Sequence, residues 1–221
     1  AVESFEIANG VITGVLCRNT KTGGMRRILV RQVVNAAGAW SMDVARRAGC
    51  SDVSLLYSKG TLIISNTRIT DRVINRLRPP GDGDILVPGG TVSLLGTTSD
   101  NVDDLEDIRP TVAEVERVLI EGTAMLPCLE GTRFIRAFSG VRPLLLPAQN
   151  VADGRSASRG FTLFDHRDQG LENFATVTGG KLTTFRLMAE KTGDLVAGRL
   201  GNSRPCKTAT EPLPSGNAVR W

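Results

Sequence analysis

The 221 residues, 41% hydrophobic and 23% charged, have the composition of a globular chain long enough to bury a core. A net charge of only +4, with basic and acidic residues interspersed and aromatics at 5%, argues against a nucleic-acid binder with its clustered basic face and stacking rings. No apolar run reaches the ~18–20 residues that span a bilayer, no leader is visible, and Cys17, Cys50, Cys128 and Cys206 lack zinc or redox-pair spacing, so reduced thiols are expected.

The chain opens as a predicted meander. Strands at 4–8 and 11–17 flank Asn9–Gly10, the dipeptide suited to the two positive φ angles of a type I′ turn. A second turn at 21–24 leads to a strand over 27–34, running into the apolar stretch VVNAAGAW. Ser41 is expected to cap a short helix ending at Ala48, with Gly49 as its stop. A strand over 57–65 follows, then a hairpin at 84–88 and 92–98 around Gly89–Gly90. Thr111 and Glu114 form a capping-box pattern ahead of a helix from Val112 to Leu126, with Val112, Val115, Leu119 and Leu126 as its buried stripe. A strand over 133–141 precedes RPLLLP. Strands at 161–165 and 173–178 enclose a turn at 167–170 that His166, the only histidine, is expected to cap. Gly179–Gly180 then opens a helix from Leu182 to Leu200, with Leu182, Phe185, Ala189 and Val196 on one side and Gly201 as its stop. The tail reads as a linker. Mostly hairpins with a few helices, the pattern predicts an α+β fold dominated by an antiparallel sheet.

Three segments carry chemistry. TVTGGKLTTFR (176–186) runs from a strand through two glycines into a helix, where close backbone approach and free N–H groups suit an anionic or polar ligand. It is not a P-loop, because Ala175 and Leu182 stand where glycine and serine or threonine are required. A tight turn with a solvated Lys181 is the alternative. FSGVRPLLLP (138–147) places Arg142, held extended by Pro143, among apolar neighbours. Its fork matches phosphate or carboxylate, whether a ligand's or a structural partner's. VVNAAGAWS (33–41) delivers small residues to a turn, which permits contact with a flat ligand or simply close packing. No G-x-S-x-G elbow or paired acids suggest a hydrolase, no ligand set suggests a metal, and the acidic run 100–107 lacks EF-hand spacing.

Taken in this order, VVNAAGAW, KGTLII, GVRPL, Ser158–Arg159 and GGKLTT resemble the flavin-dependent glycerol-3-phosphate dehydrogenases, from about Val33 to Cys206. DHRDQGL, RLMAE and LGNSRPC are most similar to the anaerobic branch of that family. The resemblance implies an antiparallel substrate cap plus the C-terminal part of a Rossmann-like FAD-binding half, divided as 1–56 and 141–203 (FAD-binding half), 57–140 (cap) and 204–221 (linker). It implies FAD contacts from Ala37, Gly38, Ala39, Gly179, Gly180, Leu182 and Thr183, and glycerol 3-phosphate contacts from Thr61, Arg142, Arg159 and Lys181. The reaction implied is hydride transfer from C2 of the substrate to FAD, giving dihydroxyacetone phosphate. Electrons would pass through iron–sulfur and membrane-anchoring partner subunits to quinone, in a cytoplasmic protein peripheral to the inner membrane.

The family's G-x-G-x-x-G is absent, since GDGDIL (81–86) has its third glycine misplaced. An internal fragment that does not retain FAD by itself is therefore expected. Leu62 stands where aerobic members carry a histidine, which leaves Lys181 as the candidate base and, with Arg142, the candidate catalytic pair. The competing expectations are a non-catalytic module binding an anion or a protein, and a related FAD-dependent amine or amino-acid oxidase.

Overall fold

The computed structural model describes residues 1–106, 108–146 and 160–213. The chain divides into two compact units, Ala1–Leu55 with Arg159–Trp221, and Leu56–Ser158.

In the first unit, strands β1 (Val2–Ala8), β2 (Val11–Arg18) and β3 (Met25–Leu29) form an antiparallel meander. Asn9 and Gly10 have φ of 50° and 75°, as a type I′ turn requires. Gly10 is further constrained, because a Cβ there would lie 2.7 Å from the Gly170 carbonyl oxygen. The single strand expected over 27–34 is two. β3 is exposed along its length, and after residues 30–32 the chain enters β4 (Val33–Asn35), in a different sheet. The change follows the side chains: MRRIL pairs on the open meander, whereas VVN runs parallel to a buried strand. A 3-10 turn at Gly38–Trp40 leads into α1 (Ser41–Arg47). Ser41 is not the cap. It is the first helical residue, fully buried, with its hydroxyl spent on Thr178.

The second unit is built on a six-stranded sheet. It holds β5 (Leu55–Ser65), which starts at the unit boundary, β6 (Ile74–Asn75), β7 (Ile85–Gly89), β8 (Val92–Gly96) and β9 (Asp100–Asn101), with β10 (Phe134–Leu145) beside β5. The order is β10-β5-β8-β7-β6, with β9 also paired to β5. Helix α2 (Val112–Met125) packs on this sheet through a core of Ile63, Leu86, Leu95, Val118 and Leu129. Thr111 caps it, accepting from the Glu114 amide while the Glu114 carboxylate accepts from the Thr111 amide at 2.6 Å. The buried stripe is displaced from expectation. Val112 is exposed, and Val118, Glu114 and Gly122 are buried. Gly122 allows the close approach, since a Cβ there would come within 3.0 Å of Leu95 Cδ1 and closer to Cδ2.

The remaining elements return to the first unit. β11 (Phe161–Asp165) and β12 (Phe174–Gly179) are antiparallel, and β12 runs parallel to β4. β12 is the central strand of this sheet and is buried up to Thr178, which explains its unbroken run of small and apolar residues. After Gly180 the chain makes a 3-10 turn at Leu182–Thr184 before α3 (Phe185–Arg199). Leu182 is therefore exposed rather than part of a buried helical stripe.

Buried polar side chains fix this unit. The Asn173 carboxamide accepts from the Ile12 amide at 2.8 Å and donates to the carbonyls of Ile12 at 2.8 Å and Arg31 at 3.0 Å. Phe174 packs between Phe5 and the His166 ring.

Candidate functional site

Two groups of sequence-identified residues lie in the first unit. β4 ends at Asn35, whose buried carboxamide donates to the Ser41 carbonyl at 2.7 Å and to Thr176 Oγ1 at 3.1 Å, and accepts from the Ala37 amide at 3.3 Å. Ser41 and Thr178 join through their hydroxyls at 2.9 Å. These bonds fasten the Ala36–Trp40 turn to β12, so Ala37, Gly38 and Ala39 sit beside the strand that delivers Gly179 and Gly180. The sequence reading took only the small residues from VVNAAGAW. The fixing groups are Asn35 and Ser41.

Gly179 and Gly180 have φ of 79° and 78°, a backbone that L side chains rarely adopt. A Cβ on Gly180 would also lie 2.6 Å from Met188 Sδ. The turn is held by the Gly180 amide donating to the Gly160 carbonyl at 2.7 Å and the Lys181 amide donating to Thr184 Oγ1 at 3.0 Å. Lys181, Leu182 and Thr183 follow, all exposed. Between β4, β12 and α3 lies an apolar groove of about 440 Å³, lined among others by Val34, Ala36, Val177, Phe185 and Met188.

The other group lies in the second unit. Thr61 is fully buried on β5, its amide donating to Thr98 Oγ1 at 2.9 Å, and its own hydroxyl has no partner among the described residues. Arg142, half-buried on β10, donates from Nη2 to Thr97 Oγ1 at 2.9 Å and from Nη1 to the Thr98 carbonyl at 3.4 Å. Its guanidinium lies against the backbone of Gly60, where a Cβ would fall 2.5 Å from Nη1 and nearer still to Nη2. Gly60 is thus the seat of the Arg142 fork. Arg159 lies outside the described residues.

The neighbour of Gly60 was missed by sequence reading. Lys59 is buried with its Nζ 3.0 Å from Glu114 Oε1 and donating to the Arg109 carbonyl at 3.1 Å. Burial alone would raise the Glu114 carboxyl. The Thr111 amide, the Lys59 ammonium and the Thr111 hydroxyl outweigh it and hold the group below the usual carboxylate range. The capping box was legible, but its glutamate's second duty to a lysine on a distant strand was not.

Comparison with known proteins places these elements. The family model described as FAD dependent oxidoreductase matches residues 1–195. The chain belongs to this family. It is 47% identical over 206 residues to a subunit of the anaerobic glycerol-3-phosphate dehydrogenase of Escherichia coli K12, covering 92% of this chain and 38% of that protein. The chain thus spans well under half the length of this relative. The glycerol-3-phosphate dehydrogenase from Bacillus halodurans complexed with FAD superimposes with a TM-score of 0.71 at 26% identity, over 95% of this chain and 40% of that one. Glycine oxidase from Bacillus cereus gives 0.65 at 18% identity, over 90% and 49%, a likeness of fold alone.

For an FAD dependent oxidoreductase, the residues present fit the cofactor at one end. The positive-φ Gly38, with open space where a Cβ would stand, and the Gly179–Gly180 turn are both places where backbone can approach a flat ring closely.

Proposed function

We propose that the full-length protein oxidises sn-glycerol 3-phosphate to dihydroxyacetone phosphate, with FAD as the hydride acceptor. The observation that carries this reading is the 47% identity, sustained over 92% of the chain, to part of a known glycerol-3-phosphate dehydrogenase. In this reading the FAD-binding half, expected over 1–56 and 141–203, corresponds to the first unit, and the substrate cap, expected over 57–140, to the second unit, which keeps the whole of β10; 204–221 is a linker. Ala37, Gly38, Ala39, Gly179, Gly180, Leu182 and Thr183 hold FAD, which when bound would supply the two-electron acceptor. Arg142 and Arg159 bind the phosphate, Thr61 offers its unspent hydroxyl to the substrate, and Lys181 neutralises the phosphate or takes up the C2 hydroxyl proton. The Arg142 fork suits that task because its orientation is set by Thr97, Thr98 and the absent Cβ of Gly60 before substrate arrives, so little ordering remains to be done on binding.

The Escherichia coli relative is named as one subunit of its enzyme, which supports assembly with other chains. We assign those partners as iron–sulfur and membrane-anchoring subunits that pass electrons to quinone from the cytoplasmic face of the inner membrane. No helix among the described residues is long and apolar enough to cross a membrane.

The test is the full-length protein with an artificial electron acceptor, offered glycerol 3-phosphate, glycine and proline in parallel. Dihydroxyacetone phosphate formed from glycerol 3-phosphate alone is the expected result. Turnover of an amino acid in place of the phosphate ester would overturn it in favour of an amine-oxidase activity.

A further inference from the structure

The sequence offers no metal motif, with one histidine and four scattered cysteines. Folding nevertheless brings Cys50, Asp52 and His166 together, one ligand atom from each, all within 4.8 Å of one another. All three belong to the first unit, on elements held independently of any ligand. Cys50 follows the Gly49 stop of α1, its amide donating to the Ala45 carbonyl at 3.0 Å. Ser51 donates its amide to Gln169 Oε1 at 3.1 Å, tying the 50–52 loop to the turn that follows β11. His166 opens that turn, and its ring is stacked on Phe174 with centroids 4.7 Å apart and near Phe164 at 6.3 Å. The expectation that His166 merely caps the turn is wrong; Asp165 does so, and His166 is fully buried.

The histidine nitrogens are not equivalent. Nε2 lies 2.8 Å from Thr176 Oγ1, which has two lone pairs and also accepts from Asn35. Either atom can donate in that contact, so Nδ1 carries a hydrogen in one tautomer and a lone pair in the other. Nδ1 is buried and faces Asp52 Oδ1 at 3.1 Å. With the hydrogen on Nε2, Nδ1 and Oδ1 face each other as two acceptors, an arrangement that a cation between them satisfies. Cys50 supplies a third donor atom within 4.8 Å, buried, while Asp52 lies at the exposed edge.

We propose that Cys50, Asp52 and His166 form a divalent zinc site, with sulfur, carboxylate oxygen and imidazole Nδ1 as three ligands and solvent as the fourth. Bonds of about 2.0–2.3 Å to a tetrahedral ion put ligand atoms roughly 3.3–3.8 Å apart, which the Nδ1–Oδ1 separation of 3.1 Å nearly meets, with the Cys50 sulfur within 4.8 Å of both partners. The donor set is that of zinc rather than of magnesium or calcium, which take oxygen. Thiolate and carboxylate together balance the dication. Thr176 on Nε2 fixes the ring in the manner usual for a metal-bound histidine. Binding breaks the Cys50 S–H bond, forms the S–Zn bond and releases one proton to solvent. Asp165 and Arg199, paired with each other, are the further charges that bear on His166. The site has no part in the oxidation proposed above. It staples the end of α1 to the turn after β11.

Cobalt(II), which takes zinc sites and reports thiolate ligation by its near-ultraviolet charge-transfer band, is the probe. Titration of the full-length protein is expected to develop this band to one equivalent, with zinc displacing it. Cys50→Ser should abolish the increment and Cys128→Ser should preserve it. Absence of the band, or a band that survives Cys50→Ser, refutes the proposal. Should Cys50→Ser fail to fold, Asp52→Asn at the exposed edge keeps the thiol and should weaken cobalt at least 10-fold. Unchanged affinity in that variant also refutes the site and leaves a histidine–aspartate pair.

Discussion

Replacing Gly60 with alanine is expected to impair catalysis while leaving the fold nearly as stable as before. The backbone at Gly60 lies outside the left-handed region, so alanine brings no strain of its own and gains ~0.4–1 kcal/mol by restricting the unfolded chain. Its methyl would stand 2.5 Å from Arg142 Nη1, inside van der Waals contact. The clash falls on the far end of a flexible side chain, which yields at ~0.5–1.5 kcal/mol for a distorted rotamer. Net stability should thus change by no more than about 1 kcal/mol. Function has no such compensation. A guanidinium displaced from Thr97 and Thr98 no longer presents its fork, and a lost charge-assisted contact of about 1–3 kcal/mol corresponds to roughly 5- to 150-fold in kcat/KM. The assay is steady-state oxidation of glycerol 3-phosphate by the full-length Gly60→Ala variant, beside urea unfolding. Gly140→Ala serves as control, on the same strand as Arg142 with open space around the new methyl. Wild-type kcat/KM in Gly60→Ala would refute the seating argument, and so would destabilisation beyond ~3 kcal/mol, which would mean that the guanidinium cannot move aside.

Glu114→Gln should destabilise by about 3–5 kcal/mol, because it leaves the Lys59 ammonium buried without its counter-charge, and Lys59→Met in the same chain should restore part of the loss. The Glu114 carboxyl is held below its unfolded value, so its contribution is full above that value, near 4.5, and is lost as pH falls through the lower folded value; acid titration of stability should be flatter in Glu114→Gln. Asn173→Ala should cost more than ~2 kcal/mol by orphaning the Ile12 amide and two carbonyls, and hydrogen exchange at Ile12 should rise with it, whereas unchanged protection would show the brace to be dispensable. Lys181→Ala in the full-length protein should lower turnover ~10²–10⁴-fold if Lys181 takes the proton; turnover within a few-fold of wild type, with KM raised, would assign Lys181 to phosphate binding alone.

What the sequence made legible was local chemistry. Asn9–Gly10, Thr111-x-x-Glu114 and the paired glycines after β12 each specify their conformation within a few residues, and each adopts it. The α+β class followed from the same hairpins. Arg142 and the Gly179–Gly180 turn stood out as candidates because a cation beside a proline and two adjacent glycines are conspicuous wherever they fold. The remainder depended on partners distant in sequence. The break between β3 and β4 is decided by which sheet each side joins, and nothing in MRRILVRQVVN announces the change. The zinc ligands have no motif because Cys50 and His166 are separated by the whole second unit. Buried polar residues such as Asn173, Asn35 and Lys59 read as ordinary surface side chains until the groups that satisfy them are in place.

The Asn173 brace also bears on how the protein is made. Its bonds reach Ile12 and Arg31 across 161 and 142 residues, so β2 waits for its clamp until β12 has been synthesised. The unit inserted between them, Leu56–Ser158, is continuous and can close as soon as it emerges. At ~5–20 residues per second the ribosome takes roughly 5–20 s to deliver that insertion. For that interval the meander exposes Ile12, Val15 and its own strand edges to solvent. Chaperone engagement during synthesis should therefore fall on residues 1–55, and a ribosome stalled within the insertion should leave that segment protease-sensitive while the second unit resists.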